Sequence, residues 1–300
     1  MISNLLDWVR NMSSKPITIT IINLKGGTGK TTLAALLSYG LAKMGRKVLV
    51  IDLDPESHLS SLFLPITEIE NVSGGSLDFA IVGAGYRVRT VYNDGRGKID
   101  ILPSGLNYIV RVFEGSIPAW DSHAIAVRIE RELRGRYDYV ICDSPPEIMP
   151  PTMWAVFASD YIVIPTNLEE LSLTGLKILV RYILPPVLER SRKGFRILGV
   201  VLVNITRHWH KQTISSIESS ITNYILNTVP QLATRIYHKL FFDTIIYRHA
   251  ALRDLMYEPG RWSIPLFSVV EKYVGIRSEV ESLSREVENR IMNFRPMVSS

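Results

Sequence analysis

The segment Ile17-Thr18-Ile19-Thr20-Ile21-Ile22, followed by Asn23-Leu24-Lys25-Gly26-Gly27-Thr28-Gly29-Lys30-Thr31-Thr32, constrains the fold more than any other part of the chain. A β-branched run of this kind reads as a strand buried on both faces, because its stiff, bulky side chains pack on a covered, pleated sheet. A glycine cluster follows, and then Thr31 to Met44 reads as a helix closed by Gly45. A second apolar strand, Val48-Leu49-Val50-Ile51, ends on Asp52. A strand joined to a parallel strand through a helix makes a right-handed βαβ unit.

The alternation continues. Ile99 to Leu102 reads as a strand, a helix lies near Ala124 to Arg134, and Tyr137 to Cys142 forms a strand ending on Asp143. Further strands are expected at Tyr161 to Pro165 and Ile197 to Asn204, each trailed by a helical segment, with a last strand at Phe242 to Ile246. This pattern predicts an α/β fold: a mostly parallel, doubly wound sheet flanked by helices. Gly74-Gly75, Gly83 to Gly85 and Asn93 to Gly97 mark loops, and no long Pro- or Ser-rich linker interrupts the order, so residues 17–265 read as one domain. Residues 1–16 read as a leader helix with Leu5, Leu6, Val9 and Met12 on one face. Residues 266–300 read as one long amphipathic helix with Val269, Tyr273, Ile276, Val280, Leu283, Val287 and Ile291 in a stripe. That stripe either packs on the domain or meets another chain.

Composition excludes several classes. With 300 residues and 46% hydrophobic content the chain has ample material for a core. No apolar run reaches the roughly 18 to 20 residues of a membrane span, and the first residues lack a cleavable signal, so a cytoplasmic location is expected. Cys142 is the single cysteine, which removes internal disulfides, Cys-x-x-Cys redox pairs and multi-cysteine iron–sulfur clusters. The formal charge of +5 permits a polyanionic partner without demanding one.

The run Lys25 to Thr32 stands where a strand turns into a helix. Gly26, Gly27 and Gly29 keep side chains from blocking the backbone N–H groups that close around phosphate oxygens, and Thr28 belongs to the same loop. The helix that follows adds its N-terminal dipole. Lys30 is placed to reach the β- and γ-phosphates of a nucleoside triphosphate, the Thr31 hydroxyl to ligate Mg²⁺, and Thr32 to extend the cradle. Carboxylates arrive from two strand ends. Asp52 and Asp143 would hold the Mg²⁺ shell, and Asp54, on the loop beyond Asp52, is the candidate to orient the attacking water.

Leu24 stands where the common phosphate-loop pattern has a glycine, and Lys25 precedes the glycine pair. In these residues the chain resembles the ParA/MinD family of ATPases with a deviant Walker A box, a P-loop NTPase fold. The resemblance implies that Lys25 crosses a dimer interface to the nucleotide of the opposite subunit while Lys30 acts within its own. Asp52-Leu53-Asp54-Pro55 resembles the family's switch I box, although Glu56, Ser57 and His58 replace its last three residues. Val140 to Pro146 resembles its Walker B strand and switch II. Val200 to Asn204 is similar to the strand whose terminal Asn contacts adenine, which makes Asn204 the base-contact residue. Phe242 to Asp254 resembles a late strand and loop, with Tyr247 where proline is usual.

Branches of that family differ in their additions. One cysteine does not fit the iron–sulfur members, and the mixed charge of the terminal helix does not fit an anionic-lipid anchor. No Tyr follows Tyr273, which removes the tyrosine-kinase branch. The resemblance therefore implies a ParA-type DNA partition ATPase without an N-terminal helix-turn-helix domain. Such a protein forms an ATP-dependent homodimer, binds nucleoid DNA non-specifically, and is stimulated by a ParB-like centromere-binding adaptor. Arg248, Arg253, Lys239 and Arg235 are the candidate DNA contacts, with Arg207, His208, His210 and Lys211 as a further basic group. Two alternatives share the loop: a metabolic ATP-dependent ligase or synthetase, and a MinD-like ATPase that positions at membranes.

Overall fold

The computed structural model describes residues 15–80, 84–105, 110, 114, 123–191, 194–207, 211–257 and 266–298. The predicted leader face of Leu5, Leu6, Val9 and Met12 lies outside them, as do His208 and His210 of the further basic group.

The first strand is β1 (Ile17–Ile21), which leads through the glycine loop into α1 (Lys30–Lys43) and then β2 (Lys47–Asp52). Three short helices follow, α2 (His58–Phe63), α3 (Ile66–Glu70) and α4 (Ser76–Ala80), and then β3 (Arg89–Asn93) and β4 (Lys98–Leu102). Next come α5 (Ala124–Glu132), β5 (Tyr139–Asp143), α6 (Pro150–Ala158) and β6 (Tyr161–Thr166). A helical stretch with a π turn at Leu179–Ile183 joins α7 (Glu170–Ile178) to α8 (Leu184–Arg190). The chain continues with β7 (Arg196–Ile205), α9 (Lys211–Thr228), α10 (Pro230–Ala233), β8 (Phe241–Tyr247) and α11 (Ala250–Tyr257). It closes with α12 (Leu266–Lys272) and α13 (Val274–Met292).

The strands form one eight-stranded sheet in the order β3-β4-β2-β5-β1-β6-β7-β8. All neighbours are parallel except the β3–β4 pair at one edge. The mostly parallel, helix-covered sheet expected from the alternation is therefore present. Successive residues of β2 serve opposite faces: Val48 and Val50 join the core under α1 and α13, whereas Leu49 and Ile51 join the core that contains Trp154 of α6. Both faces are dry, which is why these strands read as unbroken apolar runs. The order reverses around β1, which pairs with β5 on one side and β6 on the other. In an open parallel sheet a ligand crevice lies at such a switch point, outside the carboxyl ends of the strands.

Two sequence expectations change. Asn93 to Gly97 is not only a loop but the turn of a hairpin, with Asp94 accepting the Arg96 and Gly97 amides at 3.0 and 2.9 Å, so β3 extends the sheet by an antiparallel edge. The terminal stripe is two helices rather than one. Tyr273 is extended (φ −106°, ψ 105°) and exposed, and it separates α12 from α13. The break serves two different surfaces. Phe267 of α12 stacks on Tyr39 at 4.8 Å and Phe63 at 5.5 Å, while Val280, Leu283 and Val287 of α13 enter the core beside α1 and β8.

Candidate nucleotide site

The glycine loop connects β1 to α1 with Gly27 at φ +74° and Gly29 at φ +86°. Gly29 is held to glycine twice over: its backbone is left-handed, and a Cβ there would lie 2.5 Å from Cγ1 of Val203. Nothing lies within 4 Å of a Cβ position at Gly26 or Gly27, so this stretch of backbone faces open space. The loop braces itself through Thr28, whose hydroxyl donates to the Lys25 carbonyl at 3.2 Å.

Lys30 begins α1 with its ammonium folded back over the loop, donating to the Lys25 carbonyl at 3.2 Å. It is only 6% exposed. Burial lowers its pKa, and this outweighs the opposing pull of Asp143, Asp54, Glu147 and Glu56. A buried cation held by one carbonyl, with carboxylates around it, is poised for an anion. Lys25 is half-buried at the mouth of the loop.

Asp52 and Asp143 are register partners at the carboxyl ends of adjacent strands, and both are fully buried. They differ in what they bind. Asp52 accepts the Asp54 amide at 3.1 Å and the Ser60 amide and hydroxyl at 2.8 and 2.6 Å. These three bonds occupy most of a carboxylate's roughly four acceptor sites. Burial is the main cause that pushes its pKa up to about 7, against the Ser60 hydroxyl and with the charge of Asp54. Asp143 is the opposite case: neither oxygen has a hydrogen-bond partner among the described residues. Burial first, then the charges of Asp52 and Asp54, raise its pKa well above the usual range; the Thr31 hydroxyl and Lys30 only partly oppose them. An orphaned buried carboxylate beside a phosphate-type loop and a Thr hydroxyl suits a divalent cation's shell, since hard cations take oxygen ligands. Thr31 and Asp143 fit that role, and Asp52 has one acceptor direction left for it.

A cleft of about 370 Å³ opens over the loop. Gly26, Gly27, Gly29, Lys30, Thr31 and Thr32 form its floor, and Asp54, Glu56 and His58 form one wall. Val203, Asn204, Tyr247, His249, Leu252 and Arg253 form the other. Asp54 is 5% exposed, and one of its oxygens accepts the Glu56 amide at 3.0 Å. Ligating atoms of Asp54, Glu56 and His58 lie within 4.8 Å of one another. Glu56 and His58 thus join the site, although the sequence shows them only as departures from a pattern; their alternate spacing, two and four residues beyond Asp54, is the available signal.

Asn204 sits near the end of β7 in a left-handed conformation (φ +60°) that turns its side chain to the cleft. The basic residues divide. Arg253 lines the cleft and Arg248 follows β8 at the same end of the sheet, where Arg207 also lies over the Tyr247 ring at 4.5 Å. Lys239 precedes β8, and the Arg235 carbonyl accepts the Ile197 amide at the start of β7. Seven residues of β8 at roughly 3.3 Å each put these two about 20 Å from Arg248. Lys239 pairs with Asp243.

Comparisons with known proteins identify the family that shares this sequence and fold. A family model described as an AAA domain (AAA_31) matches residues 17–196. The chain is 31% identical over 202 residues to the chromosome partitioning protein ParA of Caulobacter vibrioides, covering 65% of this chain and 73% of that protein. The chain belongs to the ParA-type family of P-loop partition ATPases. The sporulation initiation inhibitor protein Soj of Bacillus subtilis is 34% identical over 163 residues, and that match spans 53% of this chain and 61% of Soj. Among solved structures, pNOB8 ParA superposes with a TM-score of 0.79 at 25% identity, covering 93% of this chain and 99% of that one. The same protein bound to nonspecific DNA superposes at 0.75, with 23% identity over 93% of this chain and all of that one. Among the described residues of this ParA-type chain no helix is long and apolar enough to cross a membrane.

Proposed function

We propose that this ParA-type chain is an ATP-dependent DNA partition ATPase that acts from the cytoplasm on nucleoid DNA. The observation that carries the reading is the pairing of Lys30, buried in the floor of the cleft, with Lys25, at the loop's mouth and not among the residues that line the cleft. Lys30 serves the nucleotide of its own chain. Lys25 serves the nucleotide of a second copy, so that hydrolysis waits for a homodimer, as a cation delivered from outside stabilises charge on the transferring phosphoryl group.

The loop amides of residues 26 to 32 hold the phosphates, and Asn204 contacts the adenine. Thr31 and Asp143 would hold Mg²⁺ with Asp52 behind them, and a bound Mg²⁺ would neutralise charge on the β- and γ-phosphates. Asp54 accepts a hydrogen bond from the attacking water and orients it. Arg248 and Arg253, at the cleft end of the sheet, contact DNA phosphates. A ParB-like centromere-binding adaptor stimulates hydrolysis and so releases the DNA. The pNOB8 ParA structure with nonspecific DNA supports the choice of ligand through a shared fold.

Filter retention of a random duplex by wild type beside Asp54→Ala tests this reading. Wild type should retain DNA with ATP and release it on hydrolysis, while Asp54→Ala should bind ATP and DNA and stay bound. Equal retention with ATP, ADP and no nucleotide would overturn it.

A further inference from the structure

Arg248 is tied to the nucleotide site by one side-chain contact. Its Nε donates to the Asn204 side-chain carbonyl at 3.2 Å. Its backbone is fixed independently, because the Arg248 amide donates to the Ile205 carbonyl at 2.8 Å and the next residue, His249, is bonded to Glu279 at 3.0 Å. The guanidinium therefore hangs from an anchored point and can swing without moving the strand. Among the described residues no carboxylate forms an ion pair with it, and it is exposed. Asn204 is the only side chain that hydrogen-bonds it among the described residues.

An Asn side chain reads adenine by presenting its carbonyl and amide edge to one base: the carbonyl accepts from the exocyclic N6 amine and the amide donates to a ring nitrogen. The carbonyl that N6 requires is the atom Arg248 holds, so N6 meets an oxygen with one of its two acceptor positions already taken by a cation. Guanine presents an acceptor, O6, at that position and cannot compete for a carbonyl.

We propose that Arg248 and an adenine base compete for the Asn204 carbonyl, so that binding of an adenine nucleotide releases the Arg248 guanidinium to contact a DNA phosphate. This rests on the roles given to Asn204 and Arg248 under the proposed function. It adds a direct link between them: base occupancy is read out as one freed cation on the DNA-facing end of the sheet. Coupling of this kind is reciprocal, so a phosphate that captures Arg248 also leaves Asn204 free for adenine.

The test is nucleotide binding by the full chain without DNA, with wild type beside Arg248→Ala. Loss of a competing hydrogen bond worth about 0.5 to 1.5 kcal/mol predicts ATP binding about 2- to 12-fold tighter in Arg248→Ala. Purine riboside triphosphate, which lacks the N6 amine, should bind both proteins equally. Arg248 is exposed, and an unchanged unfolding midpoint confirms that the variant folds. Unchanged or weaker ATP binding in Arg248→Ala, or equal tightening for the N6-free nucleotide, would overturn the competition. A random-duplex arm reads the second half: ATP-dependent retention should fall in Arg248→Ala. If wild type retains no duplex under any condition, the partition reading fails while the nucleotide arm still decides whether Arg248 and adenine compete. If wild type retains duplex and Arg248→Ala retains it equally, the link to DNA is overturned.

Discussion

Glu286 reaches from α13 to the outer edge of β8, where one oxygen accepts the Thr244 amide at 2.9 Å and the Thr244 hydroxyl at 2.8 Å. The other accepts the neighbouring Asp243 amide at 2.9 Å, and one turn pair earlier Glu279 accepts the Tyr247 amide at 3.2 Å. An edge strand with free N–H groups is a template for pairing with another chain, and here helix carboxylates occupy them. Glu286→Gln should lower stability by about 1 to 3 kcal/mol, because the half-buried Thr244 donors or the buried Arg290 guanidinium, which also donates to Glu286, lose a carboxylate acceptor. It should also raise self-association at high concentration. Denaturant melts and light scattering check both, and wild-type values in the two would remove the capping role.

Gly40 marks where α1 meets α13. A Cβ there would lie 2.0 Å from the Ser284 hydroxyl and 2.9 Å from Cγ1 of Val280. Gly40→Ala should destabilise the fold by about 1 to 3 kcal/mol through overpacking, despite the better helix propensity of alanine. Thermal unfolding beside Ser284→Gly/Gly40→Ala checks the cause: the double variant should recover part of the loss.

Glu271 gives a pH dependence with a defined sign. The Tyr39 hydroxyl, and then Lys43, hold its pKa below the usual glutamate value. A depressed carboxylate contributes stability that is present above its unfolded pKa and is lost as pH falls through the folded one. Glu271→Gln should therefore be less stable than wild type at pH 7, and the difference should shrink as pH falls below about 4.3. A gap that stays constant across that window would show the ion contacts to be inert.

The wall of Asp54, Glu56 and His58 makes a prediction about rate. Burial raises the Asp54 pKa; the charge of Glu56 adds to the rise and His58 opposes it. If ionised Asp54 orients the water, hydrolysis fails on the acid side as it protonates. Glu56→Gln should shift that acid limb to lower pH and His58→Ala should shift it to higher pH, as read from the pH profile of kcat. Shifts in the opposite directions would remove Asp54 from this role.

How far all this was legible varies with the range of the interaction. The β1-loop-α1 unit and the Asp-ended strands β2 and β5 announce themselves, because each is a contiguous run whose residue types answer a local demand: dry strand faces, glycine at φ +86°, a carboxylate at a strand end. The β3 edge is not legible, although Asn93-Asp94-Gly95 is a turn signal, since Arg89 to Tyr92 is only partly buried and lacks a clean apolar alternation. The break at Tyr273 is invisible to periodicity, which sees the stripe continue while the surfaces beneath it change. Which basic residues share a face is likewise a property of strand direction: Lys239 and Arg248 are nine positions apart in sequence but at opposite ends of β8.

Asp143 is where stability and the proposed chemistry oppose each other. Its carboxylate is fully buried, has no hydrogen-bond partner among the described residues and lies beside Asp52 in register. Burial raises its pKa, so the folded chain favours the proton, and stability is lost as pH climbs from the unfolded value of 3.8 toward the folded one. Asp52, pushed to about 7, adds to the loss in the same direction. At pH 7.5, above the unfolded value, Asp143→Asn should remove the cost of burying that carboxyl while keeping its shape, and the nucleotide-free protein should melt higher; each 1 kcal/mol is worth about 2 to 4 °C at this size. The same change should abolish the extra stabilisation that Mg²⁺ and ATP together give over ATP alone, because that increment scales with binding to the folded state. Scanning fluorimetry with and without Mg²⁺ separates the two effects. A variant that melts lower when empty would show Asp143 to be satisfied in the fold, and one that keeps the full Mg²⁺ increment would remove it from the metal shell.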